Sequence, residues 1–119
     1  MNFEIRTEHD GDRCLIAVTG ELDLYTAPEL KTELGAAIDD GARHVIVDLS
    51  ETTFIDSTTL GVLVGGVKRL RPAGGDVSLV CNERSITKIF EITGLDRVFT
   101  IVPTRAEAIA QLAAAGSSA

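Results

Sequence analysis

Three short runs rich in β-branched residues alternate with segments whose apolar residues recur at helical spacing. The runs are Val45-Ile46-Val47-Asp48-Leu49, Val77-Ser78-Leu79-Val80-Cys81 and Phe99-Thr100-Ile101-Val102. Leu60, Leu63, Val64, Val67 and Leu70 form the stripe after the first run, and Ile86, Ile89 and Phe90 the one after the second. Strand, helix, strand in that order requires crossover connections, and these place the strands parallel in one sheet covered by helices. The run 45–49 is apolar at nearly every position, as suits a central strand rather than one with a wet face.

The flanking elements read in the same way. Phe3, Ile5 and Thr7 alternate with charged residues, which predicts an edge strand. Asp10-Gly11 marks a hairpin turn into a second strand, Cys14-Leu15-Ile16-Ala17-Val18, which Gly20 is expected to close. Thr26 with Glu29 has the form of a capping box, Pro28 suits a first helical turn, and Ala27, Leu30, Leu34 and Ile38 make one stripe up to a stop at Gly41. Pro72 and Gly74-Gly75 end the second helix, and Ser85 and Gly94 bracket the third. Thr104 and Glu107 form a second capping box, opening a last helix on Ile109 and Leu112. The order is β-β-α-β-α-β-α-β-α, an α/β class with a mixed, partly parallel sheet flanked by helices and right-handed crossovers. With 119 residues and no long gap, the chain reads as a single domain over 1–112, with an expected disordered tail at 113–119.

Charge narrows the partners. The formal net charge is −7, and residues 1–60 carry 13 acids against four bases, whereas 61–119 carry five acids against seven bases. A nucleic-acid binder needs clustered cations for phosphates, and an anionic membrane repels such a surface, so neither is expected as a partner. The N-terminal residues form no apolar run, and the stretch 60–67 is too short to span a bilayer, so a cytoplasmic location is expected. Cys14 and Cys81 stand apart with no CxxC spacing, and His9 and His44 are isolated. Buried free thiols and no metal or other cofactor are therefore expected.

The segment Ser50-Glu51-Thr52-Thr53-Phe54-Ile55-Asp56-Ser57-Thr58-Thr59-Leu60-Gly61 joins the central strand to a helix. The C-terminal edge of a parallel strand is where α/β folds place their sites. Asp56 or Ser57 fits the N-cap of that helix, an ordinary structural role. Ser57 also fits a phosphoacceptor, because a helix N-terminus offers free N–H groups and a positive dipole end. Gly61, Gly65 and Gly66 are unusual inside a helix. They suit either tight packing against the sheet or a smooth surface for a partner.

Gly20-Glu21-Leu22-Asp23 with Thr26-Ala27-Pro28-Glu29-Leu30, the run 45–50, Phe54-Ile55-Asp56-Ser57-Thr58 and Leu60-Gly61-Val62-Leu63 together resemble the STAS-domain anti-sigma factor antagonist family over nearly the whole chain. The resemblance implies a single STAS-type domain that is a binding module rather than an enzyme, and so a phosphoprotein acting in transcription regulation by partner switching. It implies that the unphosphorylated form binds an anti-sigma factor serine kinase of the GHKL type and frees a sigma factor. Phosphorylation at Ser57 then releases the kinase, and a PP2C-type phosphatase resets the switch. Asp23, Asp56, Ser57, Thr58, Thr59 and Gly61 are the implied partner-binding residues. Thr59 departs from the pattern, since many members carry glycine there, and it adds a third hydroxyl beside Ser57 and Thr58.

Other functions fit less well. A hydrolase using Ser57 as nucleophile needs a nearby base, and only His9 and His44 exist, with no G-x-S-x-G elbow. Gly61 to Lys68 does not match a phosphate-binding G-x-x-x-x-G-K-[ST] loop. The family resemblance also leaves a phosphorylation-independent STAS scaffold, or a component of a stress complex, as the alternative to the switch.

Overall fold

The computed structural model describes residues 3–117. Its elements are β1 (Glu4–Asp10), β2 (Arg13–Leu22), α1 (Ala27–Asp39), β3 (His44–Ile55), α2 (Ser57–Leu70), β4 (Asp76–Val80), α3 (Arg84–Thr93), β5 (Thr100–Val102) and α4 (Arg105–Ser117). The expected order is met. The strands lie side by side as β1-β2-β3-β4-β5, with β1 antiparallel to β2 and every later pair parallel. The mixed sheet follows from the linkers: a two-residue loop joins β1 to β2, closing Asp10 against Arg13, whereas each later strand is reached through a helix.

Side-chain alternation divides the core into two layers. Val45, Val47 and Leu49 of β3 share one layer with Ile16, Leu79, and the inward residues of α1, α2 and α3: Leu30, Leu34, Leu63, Val67, Ile86 and Phe90. Ile46, between them, faces the other way and packs with Val80, Val102 and Ala108 under α4. Cys14 and Cys81 are free and buried, and burial first of all pushes both thiols up, away from the reactive thiolate.

Three boundaries differ from the sequence expectation. Gly20 does not close β2. It sits inside the strand at φ +102°, between two shifts of register against β3, and such an irregularity is where glycine is tolerated in a strand. Both strands therefore run on, pairing Glu21 with Phe54 and Leu22 with Ile55, so residues 50–55 are strand where a loop was expected. Their polar composition hid them, because β4 ends at Val80 opposite Asp48 and leaves this stretch with one neighbour. At the C-terminus, the backbone of 113–117 continues α4 past the expected boundary at 112, as a run of alanines favours; residues 118 and 119 lie outside the described residues.

Helix ends explain the turns. Gly41, at φ +100°, donates to Ile38 O at 3.1 Å, and Ala42 donates to Ala37 O at 3.0 Å. This pair of bonds is the Schellman closure of α1, which requires a left-handed residue at Gly41. At α4 the Glu107 N–H reaches Thr104 Oγ1 at 3.2 Å, so Thr104 caps that helix.

On the α4 side of the sheet, Asp48 is buried and receives hydrogen bonds from Ser50 and from the Arg105 guanidinium. Burial pushes its carboxyl up, but the bonds from Ser50 and Arg105 outweigh that and hold it below the ordinary carboxylate value. A carboxyl depressed in the folded state stabilises the fold above its unfolded value of about 3.9 and loses that contribution as pH falls through the lower folded value. Arg105→Gln is therefore expected to reduce stability at neutral pH and to make no difference at strongly acid pH. Urea unfolding of both proteins across that range checks this.

Candidate functional site

The site is built where β2 and β3 outrun their neighbours. The Leu22 carbonyl, the last of β2, accepts the Asp56 N–H at 3.2 Å and the Thr59 hydroxyl at 2.9 Å. These two bonds hold the β2–α1 loop against the start of α2. Asp56 adopts an extended backbone, φ −122° and ψ −176°, and its Oδ1 accepts the Thr59 N–H at 3.2 Å. Asp56 is thus the N-cap, and Ser57 is the first helical residue. The capping role that Asp56 and Ser57 shared in the sequence belongs to Asp56 alone.

That division leaves Ser57 without structural duty. Its side chain is exposed, and its hydroxyl makes no hydrogen bond among the described residues. Thr58 is exposed beside it. Thr59 corrects the expectation of a third surface hydroxyl: it is fully buried, and its Oγ1 points inward to Leu22 O. A glycine there would forgo that bond, so the threonine ties the loop and the helix together.

The β2–α1 loop is a compact hydrogen-bonded turn. Asp23 Oδ1 accepts the Tyr25 N–H at 2.9 Å and the Thr26 N–H at 3.1 Å. These bonds, Tyr25's foremost, hold the Asp23 carboxyl below its ordinary value. The expected capping box at Thr26 does not form. Its hydroxyl instead donates to Glu21 O at 2.6 Å and accepts the Asp23 N–H at 2.9 Å, folding the loop back on the strand. Asp23 thus spends one carboxylate oxygen on shaping the loop, and its Oδ2 takes no bond among the described residues.

Sequence reasoning missed the apolar side chains here. Leu24, Tyr25 and Phe54 are 63%, 85% and 46% exposed. Leu24 and Tyr25 fall between a strand and a helix, where no periodicity marks them as surface. Phe54 lies in the polar stretch between the central strand's apolar run and α2, where no strand alternation marks it.

The helix glycines separate into two kinds. A Cβ on Gly66 would meet Leu34 Cδ2 at 2.8 Å, so Gly66 is a packing glycine. Gly61 and Gly65 have open space above them and line a shallow groove between α1 and α2, of about 620 Å³, with Pro28, Leu34, Gly35 and Thr58. Gly61→Ala and Gly65→Ala are each expected to stabilise the isolated protein by about 1 kcal/mol, since only the glycine penalty is removed. Gly66→Ala forces Leu34 to move and is expected to gain less. Thermal unfolding of the three variants distinguishes these outcomes.

Similarity to known proteins agrees with this arrangement. The STAS domain pattern matches residues 4–108. The chain belongs to the STAS-domain anti-sigma factor antagonist family. It is 38% identical to the anti-sigma-B factor antagonist of Staphylococcus aureus over 95 residues, covering 80% of this chain and 88% of that protein. An anti-sigma factor antagonist from Mycobacterium paratuberculosis superposes with a TM-score of 0.85 at 26% identity, covering 92% of this chain and 93% of that one. The Bacillus cell fate determinant SpoIIAA, 24% identical, shares the fold in both its unphosphorylated form, at a TM-score of 0.81, and its phosphorylated form, at 0.71. Those alignments cover 93% of this chain, and 97% and 99% of SpoIIAA. Among the described residues of this STAS domain, no helix is long and apolar enough to cross a membrane.

Proposed function

We propose that this STAS-domain protein is an anti-sigma factor antagonist of the cytoplasm, switched at Ser57. Unmodified, it binds an anti-sigma factor serine kinase of the GHKL type and thereby frees a sigma factor. The kinase transfers the γ-phosphoryl group of ATP to Ser57 Oγ, ADP leaves, and the phosphorylated antagonist lets go. A PP2C-type phosphatase hydrolyses the phosphoester and resets the cycle.

The observation that carries this reading is the free, exposed Ser57 hydroxyl on the first residue of a helix capped by its neighbour Asp56. A phosphate there adds about −1.5 to −2 charges next to the positive end of the helix dipole, so the domain tolerates it without unfolding. SpoIIAA, of the same fold, exists in both forms. The consequence of the phosphate is then felt by whatever covers that surface; the reading assigns Asp23, Asp56, Thr58 and Gly61 to that contact, with the buried Thr59 bonded inward to Leu22 O.

The test is incubation with the cognate kinase and ATP, followed by intact-mass measurement and fragment mapping. The reading expects a single phosphate per chain, on Ser57, and a complex with the kinase that forms before and not after modification. A kinase complex unaffected by phosphorylation supports the scaffold function instead.

A further inference from the structure

We infer that Leu24 and Tyr25 are the apolar anchors of the docking face, and that they fit a kinase surface made of an apolar pocket ringed by Arg and Lys. This rests on the switch reading above and adds how the partner is held and how phosphate releases it.

Among the described residues, five large hydrophobic side chains are exposed, and these two are the most exposed apart from Ile92. They belong to one loop: Leu24 and Tyr25 stand two and three residues after Leu22, where β2 ends, and before α1 begins at Ala27. The hydrogen bonds that hold the loop presenting them include Tyr25 N–H and Thr26 N–H to Asp23 Oδ1, Asp23 N–H to Thr26 Oγ1, Thr26 Oγ1–H to Glu21 O, and Ala27 N–H to Asp23 O. Such a turn fixes the backbone from which its apolar side chains project, and that lowers the ordering cost of binding. Aromatic residues in this setting are the usual source of interface affinity, with polar residues forming the rim. Here the chain beside the anchors is acidic: Glu21 and Asp23 precede them, Glu29 follows them, and Asp56 is tied to Leu22 O just before the loop. Its complement is a cationic ring about an apolar pocket.

Continuity with Ser57 is direct. Leu22 O, one residue before the loop, holds both the Asp56 N–H and the Thr59 hydroxyl. A partner seated on Leu24 and Tyr25 with a footprint of about 800 Å² therefore also covers Ser57. This accounts for a feature that charge alone does not. A phosphate added to an acidic face should strengthen attraction to a basic partner. Set at the edge of a dry apolar contact, a dianion must instead lose its water or force the contact open, and either weakens the complex.

The test uses the full chain and the same kinase as the phosphorylation assay. Tyr25→Ser, Leu24→Ser and, as control, Ile92→Ser are compared by calorimetry, with light scattering for oligomeric state. Ile92 is 74% exposed on α3, outside the face. Tyr25→Ser is expected to weaken binding about 30-fold or more and Leu24→Ser about tenfold, with Ile92→Ser unchanged. In the phosphorylation reaction Tyr25→Ser should raise KM and leave kcat near wild type, as expected for lost docking contacts. If Tyr25→Ser binds as wild type while phosphorylated Ser57 still releases the kinase, the anchors are overturned and the switch stands. If wild type is a dimer that Tyr25→Ser dissociates, the face belongs to self-association and the inference fails. If no kinase binds the unmodified protein, both readings fall.

Discussion

Ser57→Ala is expected to abolish phosphorylation by the kinase, leaving the fold and the binding of the unmodified form intact. The reason is the division of labour at the start of α2. Asp56 supplies the cap through its bond to the Thr59 N–H, and Ser57 contributes no hydrogen bond among the described residues. Removing its hydroxyl therefore costs the helix little. Ser57→Asp is expected to do two things of opposite sign. A carboxylate in the first helical turn stabilises the isolated domain, typically by about 0.3–1 kcal/mol. The same charge is expected to weaken kinase binding by at least about tenfold, a step of about 1.4 kcal/mol. Unfolding measurements and calorimetry on one preparation read both. If Ser57→Ala is still fully phosphorylated, the acceptor is elsewhere. Thr58 is then the first candidate, because Thr59 is buried and already bonded.

The largest loss of stability is expected from Phe90→Ala, about 3–5 kcal/mol in urea unfolding. Phe90 is fully buried and meets Phe99 edge to face, with ring centroids 5.8 Å apart and planes at 83°. It also does most to anchor α3, whose only buried residues are Ile86 and Phe90. A loss of that size is a large part of the 5–15 kcal/mol typical of a domain. Because Ser57 and the β2–α1 loop belong to other elements, the variant is expected to keep kinase binding at low temperature and lose it on warming. Hydrogen exchange should show α3 and β5 opening first. A change below about 1 kcal/mol would mean that the core closes around the gap.

Much of this protein was legible in its residues because periodicity records burial directly. Val45, Val47 and Leu49 alternate with Ile46 as a two-sided strand must, and Leu60, Leu63, Val67 and Leu70 recur as a packed helix must. Position and chemistry together singled out Ser57, since an acid followed by hydroxyls between strand and helix marks a helix N-terminus. The capping box at Thr26 and the surface position of the Thr59 hydroxyl fail for one reason: both hydroxyls answer to backbone carbonyls that the helix's own spacing does not reveal.

Thus the order of elements, the mixed sheet and the candidate acceptor follow from the chain's own pattern, which is local. Which hydroxyl faces water and which turns inside does not. Thr59 is drawn inward by Leu22 O, 37 residues away. Residues 50–55 become strand because β2 continues past Gly20 beside them. Leu24 and Tyr25 stand out because the Asp23 turn leaves them no core to enter. Only the folded sheet brings those partners together, because a hydrogen bond is satisfied by whatever lies near in space, whereas a pattern along the chain reports only what lies near in sequence.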